Sequence, residues 1–397
     1  MQQPLSTTTK RIESIDLLRG LVMIIMALDH TRDMFHVQAL TGDPLDLSTT
    51  TPFLYFTRWI THFCAPTFVF LSGVSAWLQS RRKTTKELSR FLITRGLWLV
   101  FLEVTVITLG ITGDIHFGFF VLQTIWSIGI SMIILGLMIW LPFNVILITG
   151  LLIVFGHNSL DFAEAKSMGN VNVFWHFVHQ PGVFHLWGYH MLGEFYPFLP
   201  WAGLMMVGYC TGKIFSDAEP ERRKKILLFT GIGALVFFAA LRATNWYGDP
   251  SHWSSQKDGV YTFLSFMNVT KYPPSLLYTC ATIGCGLIFL ALVKNTGSRL
   301  AKIIIVYGRV PFFYYILHFY LLHTIEIICY LSRNHSMAEG IKGVPGMPFK
   351  FAVPGEGYSL WVVYGIWAAV VIALYPLCKW YDNYKTNHKE KWWLGYL

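Results

Sequence analysis

Residues 14–36 read SIDLLRGLVMIIMALDHTRDMFH, and this stretch decides how the chain is organised. It opens with the charged pair Asp16 and Arg19 and runs apolar from Leu21 to Leu28. It then places Asp29, His30, Arg32 and Asp33 in quick succession. A helix advances about 1.5 Å and 100° per residue. Arg19 and His30 therefore share one stripe to within about 20° and lie about 16 Å apart along it. With Arg19 at one membrane face, His30 lies in the far third of the bilayer. A plain anchor has no use for a basic group at one side and a titratable imidazole deep toward the other.

The composition is that of a membrane protein. Of 397 residues 54% are hydrophobic and 13% charged, about half the charged share of a soluble domain. The N-terminus, MQQPLSTTTKR, is polar and has no signal-peptide core or cleavage site ahead of the first apolar run, so that run is expected to stay in the mature protein. Runs of spanning length occur near 16–36, 53–79, 90–112, 117–141, 143–156, 195–215, 225–244, 273–293, 301–327 and 358–378, the fifth being short. The fold expected is all-α: one polytopic membrane bundle of about ten helices over 1–397, with tails at 1–13 and 379–397.

The basic residues orient it. Lys10, Arg11 and Arg19, six from Arg81 to Arg95, five from Lys213 to Lys225, three from Lys294 to Lys302, and Lys379, Lys385, Lys389 and Lys391 fall on alternate connections. Eight others lie on the opposite side. This asymmetry predicts cytoplasmic N- and C-termini. It also accounts for the net charge of +9 without nucleic acid as a partner. The six cysteines mostly sit in apolar runs with no C-x-x-C pair, and they read as small buried hydrophobes.

The segments assigned outside, about 157–194, 245–272 and 330–357, are long and rich in Trp, His, Gly and Pro. Aromatic rings there suit a glycan-binding surface, and they equally suit an interfacial belt. No internal repeat or soluble domain is apparent.

Ionisable residues within spans point to function. His30 and Asp33 are three apart and can touch, as can Asp29 and Arg32; a carboxylate beside His30 would orient the ring. Arg58 and His62 share a face of the second span, and Glu103 sits in the third. The ninth run, YGRVPFFYYILHFYLLH (307–323), carries Arg309 toward the inside and His318 deeper. Lys271 and Tyr272 open KYPPS, where Lys271 can meet an anionic or carbonyl group or serve as an interfacial anchor. His157, His176, His179, His185 and His190 raise the question of metal. No H-E-x-x-H or Cys-His cluster accompanies them, and no metal is expected. Phosphate-loop and dinucleotide fingerprints are absent.

SIDLLRG, FYPFLPWAGLMMVGYCTG (195–212), KYPPSLLY (271–278) and YGRVPFFYYILHFYLLH together resemble the bacterial heparan-α-glucosaminide N-acetyltransferase-like proteins, within the transmembrane acyltransferases. The resemblance implies transfer of acetyl from cytoplasmic acetyl-CoA, across the membrane, to a glycan or amino sugar. A membrane histidine would act as base or transient acyl carrier. Expected catalytic residues are His30, Asp33 and His318, with His36 as the rival histidine. Arg19, Arg95 and Arg309 are expected at acetyl-CoA, and Arg58, His62, Lys271 and Tyr272 at the acceptor. The expected location is the bacterial cytoplasmic membrane, with a homodimer left open. The rival reading is a transporter of a glycan precursor or anion through the same polar cavity.

Overall fold

The computed structural model describes residues 12–166, 171–293 and 295–395. Lys10, Arg11 and Lys294, three of the basic residues expected on the cytoplasmic side, and most of the N-terminal tail lie outside the described residues.

Helix α1 spans Glu13–Phe35, with Glu13 and Asp16 in its first turn and Arg32 in its last, each matched to the helix dipole. Next, α2 (Pro52–Trp59), a 3₁₀ turn (Ile60–Phe63) and α3 (Cys64–Ser80) form one continuous apolar span. Pro66 has no N–H to offer the His62 carbonyl four residues back. The Tyr278 hydroxyl donates to that oxygen instead, at 2.8 Å. Helix α4 (Thr85–Leu102) starts at a Thr84–Glu87 capping box and runs through a π turn (Glu103–Ile107) into α5 (Thr108–Thr112).

After strand β1 (Phe119–Leu122) come α6 (Thr124–Met138), α7 (Phe143–Gly156), α8 (Ser159–Lys166) and α9 (Val173–Val178). Strands β2 (Gly182–Trp187) and β3 (His190–Glu194) then complete a sheet ordered β1-β3-β2. β3 is parallel to β1 and antiparallel to β2. This small sheet departs from the all-α expectation. The chain continues as α10 (Phe198–Asp217), α11 (Pro220–Thr244), α12 (Gly259–Met267), α13 (Leu276–Leu292), α14 (Arg299–Arg309), α15 (Pro311–Ser332), α16 (Met337–Lys342) and α17 (Leu360–Asn387).

Among the described residues, five helical segments are long and apolar enough to cross a membrane, or six if α7 and α8, bent by 47°, count as one. The sequence reading gave ten runs. α6 and α13 are shorter, at 15 and 17 residues. α1 carries too many charges to qualify by composition. The run at 301–327 is two helices, because Pro311 cannot donate a backbone hydrogen bond and so begins a new one. The exterior remains apolar: Phe229, Val236, Trp361 and Ile372 are all more than half exposed. Such a surface belongs in lipid.

Lipid supplies no hydrophobic drive to hold helices together, so close backbone packing must do so. α1 lies at the centre, against α3, α13, α14, α15 and α17. It crosses α14 at Gly20 and Gly308; a Cβ on Gly20 would land on the Ile304 carbonyl oxygen, and one on Gly308 on that of Asp16. Gly73 of α3 and Gly208 of α10 meet in the same way. Gly308→Val should therefore abolish the α1–α14 contact and the yield of monodisperse protein in detergent. Gly365→Ala on α17, where a Cβ meets open space, should leave thermal stability unchanged or slightly raised. Equal behaviour of the two variants would contradict this account of the packing.

Candidate active site

A cavity of about 420 Å³ runs alongside α1. Arg19, Ser72, Arg95 and Pro311 line one end. Met23, Met26, Phe68, Ile128 and Met132 line the middle, and Asp29, Asp33, Tyr196, Lys271 and Tyr272 the other end. His30 is in its wall. The stripe expected from the sequence therefore faces one continuous space.

Behind His30 stands His318, fully buried on α15. His30 Nδ1 and His318 Nε2 are 2.7 Å apart, and His318 Nδ1 lies 3.3 Å from the Tyr314 carbonyl oxygen. A carbonyl only accepts, so His318 must carry its proton on Nδ1 to donate there. Its Nε2 then accepts from His30 Nδ1–H. The lone pair of His30 is left on Nε2, the position from which it can take a proton. Phe319 stacks on the His30 ring at 4.4 Å between centroids and holds its plane.

The pairing of His30 with Asp33 expected from their spacing does not form. Asp33 Oδ1 accepts from Arg32 Nη2 at 2.6 Å, and its side chain is half exposed. Arg32 is the nearer and stronger partner. The same Nη2 donates to Asp29 Oδ1 at 2.8 Å, while Arg58 Nη1 approaches Asp29 Oδ2 at 3.4 Å and donates to Thr61 Oγ1 at 2.9 Å. Asp29 thus bridges two guanidinium groups and ties α1 to α2.

The other residues singled out from the sequence divide. Arg19 lines the cavity and donates to Asp16, to the Gly308 carbonyl and to Ser75. Arg309 lies outside the lining, among Asp382 (3.4 Å), Asp16 (3.9 Å) and Glu13 (4.0 Å), where it joins α14 to α17 and α1. Lys271 is buried, with its ammonium over the rings of Tyr272 (5.0 Å) and Tyr196 (5.9 Å). It pairs with no carboxylate among the described residues. Arg58 and His62 stand behind the wall. His62 packs edge-on to Tyr278, and neither of its ring nitrogens has a hydrogen-bond partner among the described residues. His36 lies past the end of α1, bridged to Tyr358 and away from the main cavity. Sequence reasoning missed Tyr196, Phe319 and Glu326, which also line the space, although Tyr196 and Phe319 fall within the quoted segments 195–212 and 307–323.

A family model described as heparan-alpha-glucosaminide N-acetyltransferase, catalytic, matches residues 11–241, more than half of the chain. The matched stretch holds Arg19, His30, Arg58 and Arg95 and ends before Lys271, Arg309 and His318. A search of curated proteins returned no match.

The ion cluster sets a stability order. Removing one partner of a buried pair costs about 3–5 kcal/mol, so Asp29→Asn, which leaves Arg32 only the half-exposed Asp33 and removes the carboxylate that Arg58 approaches, should sharply lower the unfolding temperature in detergent. Asp33→Asn, at a half-exposed carboxylate, should cost about 1 kcal/mol or less. Equal losses would mean that Asp29 does not organise the cluster.

Proposed function

The chain belongs to the heparan-α-glucosaminide N-acetyltransferase family, and from that membership and the cavity we infer that it is a membrane acyltransferase. It takes an acetyl group from acetyl-CoA on the cytoplasmic side and passes it to an amino sugar or other glycan on the far side. The observation that carries this reading is the single cavity with Arg19 and Arg95 at one end, Lys271 and Tyr272 at the other, and His30 between them. We place the protein in the bacterial cytoplasmic membrane from its resemblance to bacterial proteins, with about ten crossings from its apolar runs and both termini cytoplasmic from its basic-residue distribution.

Arg19 and Arg95 receive the donor phosphates, since guanidinium groups match phosphate oxygens well. The pantetheine arm then extends past Met23 and Met26; the roughly 16 Å from Arg19 to His30 along α1 is comparable to its reach. Arg309, neutralised by its carboxylates, is better suited to positioning α14 than to binding the donor. Lys271 and Tyr272 hold the acceptor. His30 Nε2 takes a proton from the acceptor amine or hydroxyl as that atom attacks the thioester carbonyl. The C–S bond breaks, and the leaving sulfur takes the proton back from His30. His318 positions His30 and fixes its tautomer, the role that spacing alone gave to Asp33. Arg58 and His62 support the wall from behind.

Purified protein given acetyl-labelled acetyl-CoA and extracted glycans or glycolipids should transfer the label. Loss of a general base lowers rates by about 10² to 10⁴, so His30→Ala should fall in that range while still folding and binding acetyl-CoA. His318→Ala should lose activity almost as severely, and Asp33→Asn should keep most of it. Arg19→Ala should weaken the thermal stabilisation by acetyl-CoA. No transfer to any acceptor, with movement of a solute across vesicles instead, would replace this reading with the transporter. Orientation is checked separately: cysteines at 83 and 224 should resist an impermeant reagent in intact cells, and one at 166 should react.

A further inference from the structure

Away from the cavity, α8 and the residue following α9 bring three metal-ligating groups together. Asp161, Glu164 and His179 each offer one ligand atom, and these atoms lie within 4.8 Å of one another. Asp161 and Glu164 are three apart on α8 and so share a face. The chain then returns through α9, and His179 follows its last residue.

Each of the three has a further hydrogen-bond partner. Asn158 Nδ2 donates to Asp161 Oδ2 at 2.7 Å, and Trp175 Nε1 donates to Glu164 Oε1 at 2.6 Å. His179 Nε2 faces His157 Nδ1 at 3.0 Å, and both histidines are buried. His179 Nδ1 points at Glu164 Oε1, 2.7 Å away. Outer partners of this kind orient metal ligands: an imidazole whose far nitrogen is occupied, and carboxylates that are themselves hydrogen-bonded.

We propose that Asp161, Glu164 and His179 form a divalent-cation site, with His179 Nδ1 and one oxygen of each carboxylate as ligands and Zn²⁺ as the best-matched ion. An imidazole in the set favours Zn²⁺ over Ca²⁺ and Mg²⁺, which take oxygen ligands, and the absence of thiolate disfavours Cu(I). The proton held between His179 Nδ1 and Glu164 leaves to solvent when the cation enters. The proton on His179 Nε2 stays in place throughout, donated to His157 Nδ1. Three protein ligands leave a position for water. The cation ties α8 to the segment entering β2, and Asn158 Oδ1 also accepts from Leu276 N at 2.8 Å. The same bracing thus reaches α13, just after Lys271 and Tyr272. Sequence patterns do not reveal the site, because two ligands come from one short helix and the third follows another, in no motif spacing.

The test uses full-length protein carrying a histidine-free tag, stripped with a chelator and titrated with Zn²⁺ and, separately, Co²⁺. One equivalent should bind, with a rise in unfolding temperature, release of a proton, and Co²⁺ absorption bands lacking thiolate charge transfer. His179→Ala and Glu164→Gln should weaken binding at least tenfold. Trp175→Phe keeps all three ligands but removes a brace, and it should weaken binding by about 10- to 100-fold. His185→Ala, on exposed strand β2, should change nothing. If His179→Ala does not fold, Asp161→Asn and Glu164→Gln decide. Absence of saturable binding, or unchanged affinity in both of these, would leave only a hydrogen-bonded staple and overturn the proposal.

Discussion

A carboxylate stripped of water persists only where positive charge surrounds it, and Asp29 is the point at which this chain meets that condition. Arg32, from its own helix, takes one oxygen, and Arg58, from the next span, approaches the other. The two contacts fix the rotation of α1 against α2 and the turn that follows. His30, the next residue, is thereby held in the cavity wall with His318 behind it. Releasing Asp29 would leave two buried guanidinium groups without that carboxylate and loosen the docking of the helix that carries His30.

Much of the site was legible because it lies on one helix. The period of the α-helix alone placed Arg19 and His30 on a common stripe, and both line the cavity. The partner of His30 was not legible. Spacing proposes neighbours three and four residues away, and Asp33 is one; His318 is 288 residues distant and becomes adjacent only when α15 docks on α1. Local spacing also cannot rank competitors. Asp33 had a choice of cations, and the arginine beside it in sequence took it. Arg309 and Arg19 looked equivalent as basic residues at helix ends, yet one lies among three carboxylates and the other lines the cavity.

The architecture was legible in kind and less so in detail. Apolar runs identified helices in the right places, whereas counting crossings from them treats hydropathy as length. α14 and α15 share one apolar run, and only Pro311 separates them. The small sheet arises where β1 and β3, some 70 residues apart, pair in parallel, a register no local pattern encodes. Glycines at the helix crossings carried no chemistry to attract notice, yet the backbone approach at Gly20 and Gly308 brings the Gly308 carbonyl within reach of Arg19. A packing contact thus sets the position of a charged group at the cavity's end.

The apolar middle of the cavity bears on something other than catalysis. A space that touches charged groups at both ends of a membrane protein is also a route for ions, and a cell that stores energy as an ion gradient cannot tolerate an open one. Met23, Met26, Phe68, Ile128 and Met132 line the section between the ends, and an apolar lining offers hydrated ions no replacement for their water. Methionine is flexible enough to part around a thin chain and close again after it. On the proposed acetyl-CoA route, the walls that let an uncharged arm through thus also serve as the membrane's electrical insulation at this point.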